Sequence, residues 1–304
     1  MKTSLILAAT LLAASSYAER LTLNGAGASF PAPVYQQWTY AYTADELGAA
    51  INYQSVGSGA GINQIKAGTI DFAGSDAPLT PPQCDESGLV QIPMLTGAVV
   101  PIVNLPRLKD AQLKLSNATL SAIFLGEITN WNDPRIAAEN PDVKLPKTLP
   151  ITVVHRSDSS GTTNIFTSYL ANVSTKWKEK IGAGSNVKWP VGIGGQKNPG
   201  VCNTVSRIRG AIGYTEYTYA LEAQLATVQL CDAQGKYHTA QAPFWPILGT
   251  TYILFRKDMD TERCEALKAY LRWCFKKGDS QAITLHYTPL PEPVKAQVLR
   301  DVLK

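Results

Sequence analysis

Short apolar stretches alternate along the chain with longer segments whose apolar positions recur at helical spacing. Leu21-Thr22-Leu23 reads as a strand and is followed by a helix through Val34-Tyr35-Gln36-Gln37-Trp38. Ile51 to Gln54 reads as a strand, Ile62 to Ala67 as a helix and Phe72 to Gly74 as a short strand. Val99 to Val103 is a continuous apolar run of strand character. Leu120 to Phe124 and Pro134 to Glu139 read as helices; Asp133 can cap the second, and Pro134 fits its first position. Ile151 to His155 is a strand, Ile165 to Asn172 a helix, Ala211 to Tyr214 and Ile253 to Phe255 strands, and Cys264 to Lys276 an amphipathic helix. This alternation predicts an α/β fold with mixed, mostly parallel sheets. Thr96 to Leu105 and Trp245 to Phe255, both punctuated by Gly or Pro, read as strands that cross between two domains. That crossing assigns residues 19–97 and 246–304 to domain I and residues 98–245 to domain II.

The N-terminus has a different character. Lys2 precedes an apolar run from Leu5 to Ala14, and Ser16-Tyr17-Ala18 supplies small residues at the −3 and −1 positions of a signal-peptidase site. Residues 1–18 are therefore expected to be a cleaved signal peptide, with Glu19 first in the mature chain. The run is too short to remain as a membrane span, and no Cys follows it closely enough for a lipid anchor. The expected product is a soluble, exported protein.

Among 304 residues, 45% are apolar and 17% charged, with a formal net charge of +4. This excludes a disordered chain and a nucleic-acid-coating protein. The small basic groups at Arg207, Arg209, Lys276 and Lys277 read as solvated surface. An exported protein can form disulfides, but Cys84, Cys202, Cys231, Cys264 and Cys274 are odd in number. Cys264 and Cys274 share a helix at about 15 Å, beyond bridging distance. Cys202–Cys231 is the expected pair. The cysteine spacings match no zinc site, and neither a metal nor a cofactor is expected.

Three segments share one design, in which a strand ends, a Gly/Ser-rich turn follows and a helix begins. They are Gly25-Ala26-Gly27-Ala28-Ser29-Phe30-Pro31, Gly57-Ser58-Gly59-Ala60-Gly61 and Ser159-Ser160-Gly161-Thr162-Thr163. Glycine lets the backbone approach a ligand, and a helix start leaves unpaired N–H groups with a partial positive charge, so each loop can hold an anion. Ser29, Ser58, Ser160 and Thr162 add hydroxyls, although such residues are also ordinary helix caps. Arg156 just precedes the third loop, and Asp158 is placed either to hold its guanidinium or to form a plain surface pair. Asp76 follows a strand, where a capping or turn role is equally open. No loop fits the P-loop or the dinucleotide fingerprint, and Gly27 to Pro31 is one Gly short of a nucleophile elbow. His155, His238 and His286 are widely separated in sequence. Asn117-Ala118-Thr119 and Asn172-Val173-Ser174 are glycosylation sequons by spelling.

The chain resembles the periplasmic phosphate-binding proteins of bacterial high-affinity phosphate ABC transporters. The resemblance is carried by Gly25 to Tyr35, Phe72-Ala73-Gly74-Ser75-Asp76-Ala77-Pro78-Leu79, Leu125-Gly126-Glu127-Ile128-Thr129-Asn130-Trp131, Arg156 to Thr163 and Gly210-Ala211-Ile212-Gly213-Tyr214. These motifs follow the family's order over nearly the whole mature chain. The resemblance implies two α/β domains of the type II periplasmic-binding-protein kind, joined by a two-strand hinge and closing over phosphate. It implies ligand contacts from Ser29, Phe30, Ser58, Asp76, Arg156, Ser160, Gly161 and Thr162, with Asp158 supporting Arg156. It also implies a non-enzymatic monomer that hands phosphate to a membrane permease and binds no nucleic acid. Ser29 replaces the usual Thr, Ser159 stands where Gly is usual, the segment from Gly235 to Trp245 is shorter than in some relatives, and the cysteines are unusual.

In that setting Asp76 gains a chemical role. Phosphate near neutral pH keeps a proton through which it can donate a hydrogen bond to a buried carboxylate, whereas sulfate would oppose one acceptor with another. Sulfate, molybdate and phosphonate stay open as other ligands. An exported phosphoesterase and a surface or signalling paralogue stay open as other functions.

Overall fold

The computed structural model describes residues 20–45, 48–242 and 244–304; the expected signal peptide, residues 1–18, lies outside the described residues. Strands β1 (Thr22–Gly27), β2 (Ala50–Ser55) and β3 (Phe72–Ser75) alternate with helices α1 (Ala32–Ala44) and α2 (Ser58–Lys66). Helix α3 (Pro81–Glu86) leads into β4 (Leu89–Val103). The second half comprises β5 (Leu113–Leu115), α4 (Asn117–Phe124), α5 (Pro134–Glu139), β6 (Thr152–Arg156), α6 (Gly161–Val173) and α7 (Thr175–Lys180). It continues with β7 (Ile193–Gly195), α8 (Lys197–Arg207), β8 (Ala211–Glu216), α9 (Tyr217–Glu222), β9 (Ala226–Cys231) and β10 (Tyr237–His238). The chain returns through β11 (Leu248–Arg256) to α10 (Thr261–Lys277), α11 (Asp279–Thr284), β12 (Thr288–Pro289) and α12 (Glu292–Asp301).

The strands follow the order β2-β1-β3-β11-β4-β8-β6-β7. Strand β1 is parallel to both of its neighbours, and so is β6. The central strands β11 and β4 pair antiparallel with each other and with the strands beside them. Parallel βα units thus build the outer part of each half, and two long antiparallel strands join the halves. Strand β4 pairs with β11 over Leu89–Ala98 and then with β8 over Val99–Val103, so one strand serves both halves. Its first part was hidden in the sequence by Pro93. Proline cannot donate to a ladder, and the register shifts opposite it, between Thr251 and Tyr252.

Each half has its own aromatic core, and each core sends one tyrosine hydroxyl toward the Gly/Ser loops. In the first half Tyr35, Trp38, Tyr53 and Phe72 pack with ring centroids 5.1–6.1 Å apart, and Tyr53 Oη donates to the Ala28 carbonyl at 2.8 Å. In the second half Tyr214 stacks on Phe166 at 4.3 Å, and its hydroxyl accepts from the Arg156 backbone N–H at 3.2 Å. The expected Cys202–Cys231 disulfide is not present, and all five cysteines are free thiols. Cys202, on α8, faces Thr215 and the Tyr219 carbonyl. Cys231, at the end of β9, faces Asn117. The two thiols face different elements, β8 and α9 for Cys202 and α4 for Cys231, which sequence spacing could not show.

Glycine 61 fixes how closely α2 approaches β1. A Cβ there would lie 2.6 Å from Gly27 Cα and 2.8 Å from the Ala26 carbonyl oxygen, both backbone atoms that cannot turn away. We expect Gly61→Ala to destabilise the fold by about 1–3 kcal/mol. Urea unfolding checks this, and an unchanged midpoint would refute the packing account.

Candidate functional site

The three predicted loops converge where the two halves meet. On the first, β1 ends at Gly27, whose φ of +145° and contact with the Gly74 backbone exclude a side chain. Ser29 follows, 1% exposed, and then Phe30, fully buried against Tyr287. Tyr287 Oη donates to the Phe30 carbonyl at 2.6 Å. On the second, Gly57 turns the chain at φ +95° into α2, whose first residue is Ser58. Ser58 Oγ accepts from the Gly161 N–H at 3.1 Å and the Asp76 N–H at 3.4 Å, and lies 3.5 Å from Asp76 Oδ2. On the third, Ser160 caps α6 by accepting from the Thr163 N–H at 3.1 Å. A Cβ on Gly161 would lie 2.6 Å from the Asp76 carboxylate, so only glycine admits that approach.

Arg156 ends β6 with its side chain 1% exposed. Asp158 grips it with two parallel bonds, Nε to Oδ1 at 2.8 Å and Nη2 to Oδ2 at 2.6 Å. Burial alone would push the Asp158 carboxyl up, and the Arg156 bonds more than offset this, holding it below the ordinary carboxylate range. The pair is internally neutral, so this arrangement can hold an anion through oriented donors more than through net charge. Asp76 is 2% exposed and accepts from Thr251 Oγ1 at 2.9 Å. Burial raises its carboxyl to about 7, against the opposing pull of Thr251, Arg156 and Ser58. It also lines a cleft of about 310 Å³ with Asn164, Ser168 and Asn172 of α6 and Thr250 of β11.

Ser29, Phe30, Ser58, Asp76, Arg156, Ser160, Gly161, Thr162 and Asp158 thus lie in one connected region. A fourth loop completes it, and the sequence reading passed over it. Gly194-Gly195-Gln196-Lys197-Asn198 repeats the strand, glycine turn and helix start without a hydroxyl residue, and the absence of Ser or Thr hid it. Asn198 is fully buried. Its N–H donates to Ser29 Oγ at 3.2 Å, its Oδ1 accepts from Arg156 Nη1 at 3.3 Å, and its Nδ2 donates to Thr162 Oγ1 at 3.4 Å. Lys197, at φ +61°, donates its N–H to Asp158 and its ammonium to the Ser55 carbonyl at 2.9 Å.

Further bonds stitch the halves together. Gly59 N–H meets the Ser159 carbonyl at 3.1 Å, and Tyr219 Oη meets the Ser29 carbonyl at 2.7 Å. Thr218 Oγ1 meets the Leu285 carbonyl at 2.6 Å. Glu216, fully buried at the end of β8, accepts from the Thr218 N–H at 3.1 Å; burial lifts its carboxyl to about 8 despite that bond.

A family model described as a PBP superfamily domain matches residues 13–277. The phosphate-binding protein PstS of Xylella fastidiosa (strain Temecula1) is 42% identical over 305 residues, covering 91% of this chain and 83% of its own. A solved high-affinity periplasmic phosphate-binding protein with phosphate bound superposes with a TM-score of 0.73 at 21% identity, over 93% of this chain and 94% of its own. An ABC-type phosphate transport receptor from Vibrio cholerae superposes with a TM-score of 0.60 at 19% identity, over 88% of this chain and all of its own.

An acid whose folded-state pKa is raised holds more protons folded than unfolded between its two values, so stability falls as pH rises through that window. Asp76 acts between its ordinary 3.8 and about 7, and Glu216 between 4.5 and about 8. In phosphate-free buffer the unfolding free energy should therefore decline from about pH 4 to about pH 8. Asp76→Asn should gain on the wild type up to about pH 7 and no further. Parallel curves for the two proteins would show that Asp76 does not titrate in this way.

Proposed function

We propose that this chain, which belongs to the PBP superfamily and within it to the phosphate-binding PstS proteins, captures inorganic phosphate between its two α/β halves and delivers it to an ABC transporter. In this reading residues 19–97 and 246–304 form one domain and residues 98–245 the other, with β4 and β11 as the hinge. Ser29, the Phe30 backbone, Ser58, Arg156, Ser160, Gly161 and Thr162 hold the anion's oxygens, and Asp76 accepts a hydrogen bond from its O–H. The protein acts in the periplasm as a monomer after removal of residues 1–18.

The observation that carries this reading is Asp76, a buried carboxylate within four loops otherwise rich in donors. A fully deprotonated anion would oppose that carboxylate with a second acceptor, and a protonated one fits it. Carboxylate and ligand need one proton between them, and phosphate brings it. Hydrolysis finds less support. The His155 ring stacks on Trp189 at 4.9 Å, His238 pairs with Asp232 at 2.7 Å, and His286 packs by Tyr217. None of the three is hydrogen-bonded to a hydroxyl of the three Gly/Ser loops among the described residues.

Calorimetry at about pH 8 should give phosphate an advantage over sulfate on the order of 10⁴-fold, the discrimination expected of a site built around one hydrogen bond. Asp76→Asn should weaken phosphate far more than sulfate. Sulfate binding should strengthen below about pH 7 with uptake of one proton, because Asp76 then supplies what sulfate lacks. Comparable affinities at high pH, or phosphate-ester turnover by purified protein, would defeat the reading.

A further inference from the structure

A hydroxyl carries one proton and two lone pairs, so it can donate to a ligand or accept from it. A site for an acceptor-rich anion needs every hydroxyl turned to donate. The loop geometry supplies that bias by occupying each oxygen from behind. Ser58 Oγ already accepts from two backbone N–H groups, and its proton faces Asp76 Oδ2 at 3.5 Å. Ser160 Oγ accepts from the Thr163 N–H, and the remaining two hydroxyls, Ser29 and Thr162, are both met by Asn198. Its N–H is directed to Ser29 Oγ at 3.2 Å and its side-chain Nδ2 to Thr162 Oγ1 at 3.4 Å.

The orientation of that amide follows from chemistry. Arg156 has donors only, so the end of Asn198 that faces Nη1 at 3.3 Å must be the oxygen. The nitrogen then faces Thr162, whose proton cannot point back at Asn198 and is left for the space between the loops. Asp158 holds the other edge of the same guanidinium, so the amide is fixed by a group that is itself fixed.

We propose that Asn198 is a positioning residue that sets the donor polarity of the site, acting through the Thr162 and Ser29 hydroxyls and selecting a tetrahedral oxyanion of many acceptors. The proposal rests on the phosphate reading above. It assigns Asn198 a role in affinity and ligand choice beyond supporting Arg156.

A double-mutant cycle tests it with inorganic phosphate as the probe. Asn198→Leu should weaken phosphate binding by about tenfold, the effect of one hydrogen bond. Thr162→Val should weaken it as well. In the Thr162→Val background Asn198→Leu should cost clearly less than it costs the wild type, its remaining effect being the lost Arg156 contact, because the orientation of an absent hydroxyl has no consequence. Multiplicative losses would overturn the proposal and leave Asn198 as a support for Arg156 alone, and so would an unaffected Asn198→Leu.

If Asn198→Leu fails to fold, Asn198→Asp decides. The introduced carboxylate accepts from Thr162 where the amide donated, and regains a donor when protonated. Its deficit relative to wild type should shrink as pH falls. A deficit independent of pH, or none, overturns the proposal. Wild-type protein that binds no phosphate in the same assays would instead defeat the functional reading, which keeps the two failures distinct.

Discussion

A guanidinium that is 1% exposed cannot remain charged in a protein interior without close partners, and most of the site follows from satisfying Arg156. Asp158 takes one edge in a two-bond grip, and Asn198 takes a further N–H. Each partner is then held in turn. Lys197 donates its backbone N–H to Asp158, and Tyr214 anchors the Arg156 backbone from the aromatic core. The strand end, the third loop and the start of α8 are positioned by one buried charge. Removing Asp158 would leave that charge uncompensated, a far larger loss than that of a surface ion pair.

The opposite constraint acts on Asp76. It has hydroxyl partners in Thr251 and Ser58 and a close glycine in Gly161, and no bonded cation among the described residues. Burial therefore keeps its carboxyl high, whereas Asp158, gripped by Arg156, stays low. Two carboxylates of the same region thus have separate work. One neutralises the protein's own charge, and the other, in the proposed function, shares a proton with what is bound.

Much of this was legible in the chain. Three Gly/Ser turns ahead of helices, the Arg156-x-Asp158 spacing and the long apolar runs of β4 and β11 all correspond to observed elements. The reasons are local: helix starts, strand ends and a two-residue ion pair depend on neighbours in sequence. What the sequence concealed depends on distant contacts. Asn198 sits in a turn without hydroxyls, and its partners come from residues 29, 156 and 162. The buried Glu216 reads as an ordinary strand-end carboxylate until α9 and Tyr287 enclose it. The cysteine pairing was unreadable because what each thiol faces, Thr215 for Cys202 and Asn117 for Cys231, is set by distant contacts.

The seam between the halves also has a kinetic meaning. Ser55, Gly59, Ser159, Lys197 and Tyr219 join the halves through backbone carbonyls and donors around the site. In the proposed function, opening the cleft would break these bonds together, so they would govern how long a captured ion stays, while the ion's own contacts would govern which ion is kept. Because differences among related complexes fall mainly in the dissociation rate, residence time can drift in evolution at seam positions such as Ser159 without any change of selectivity. A transporter's demand for rapid hand-over would then be met at the rim of the cleft, leaving the floor untouched.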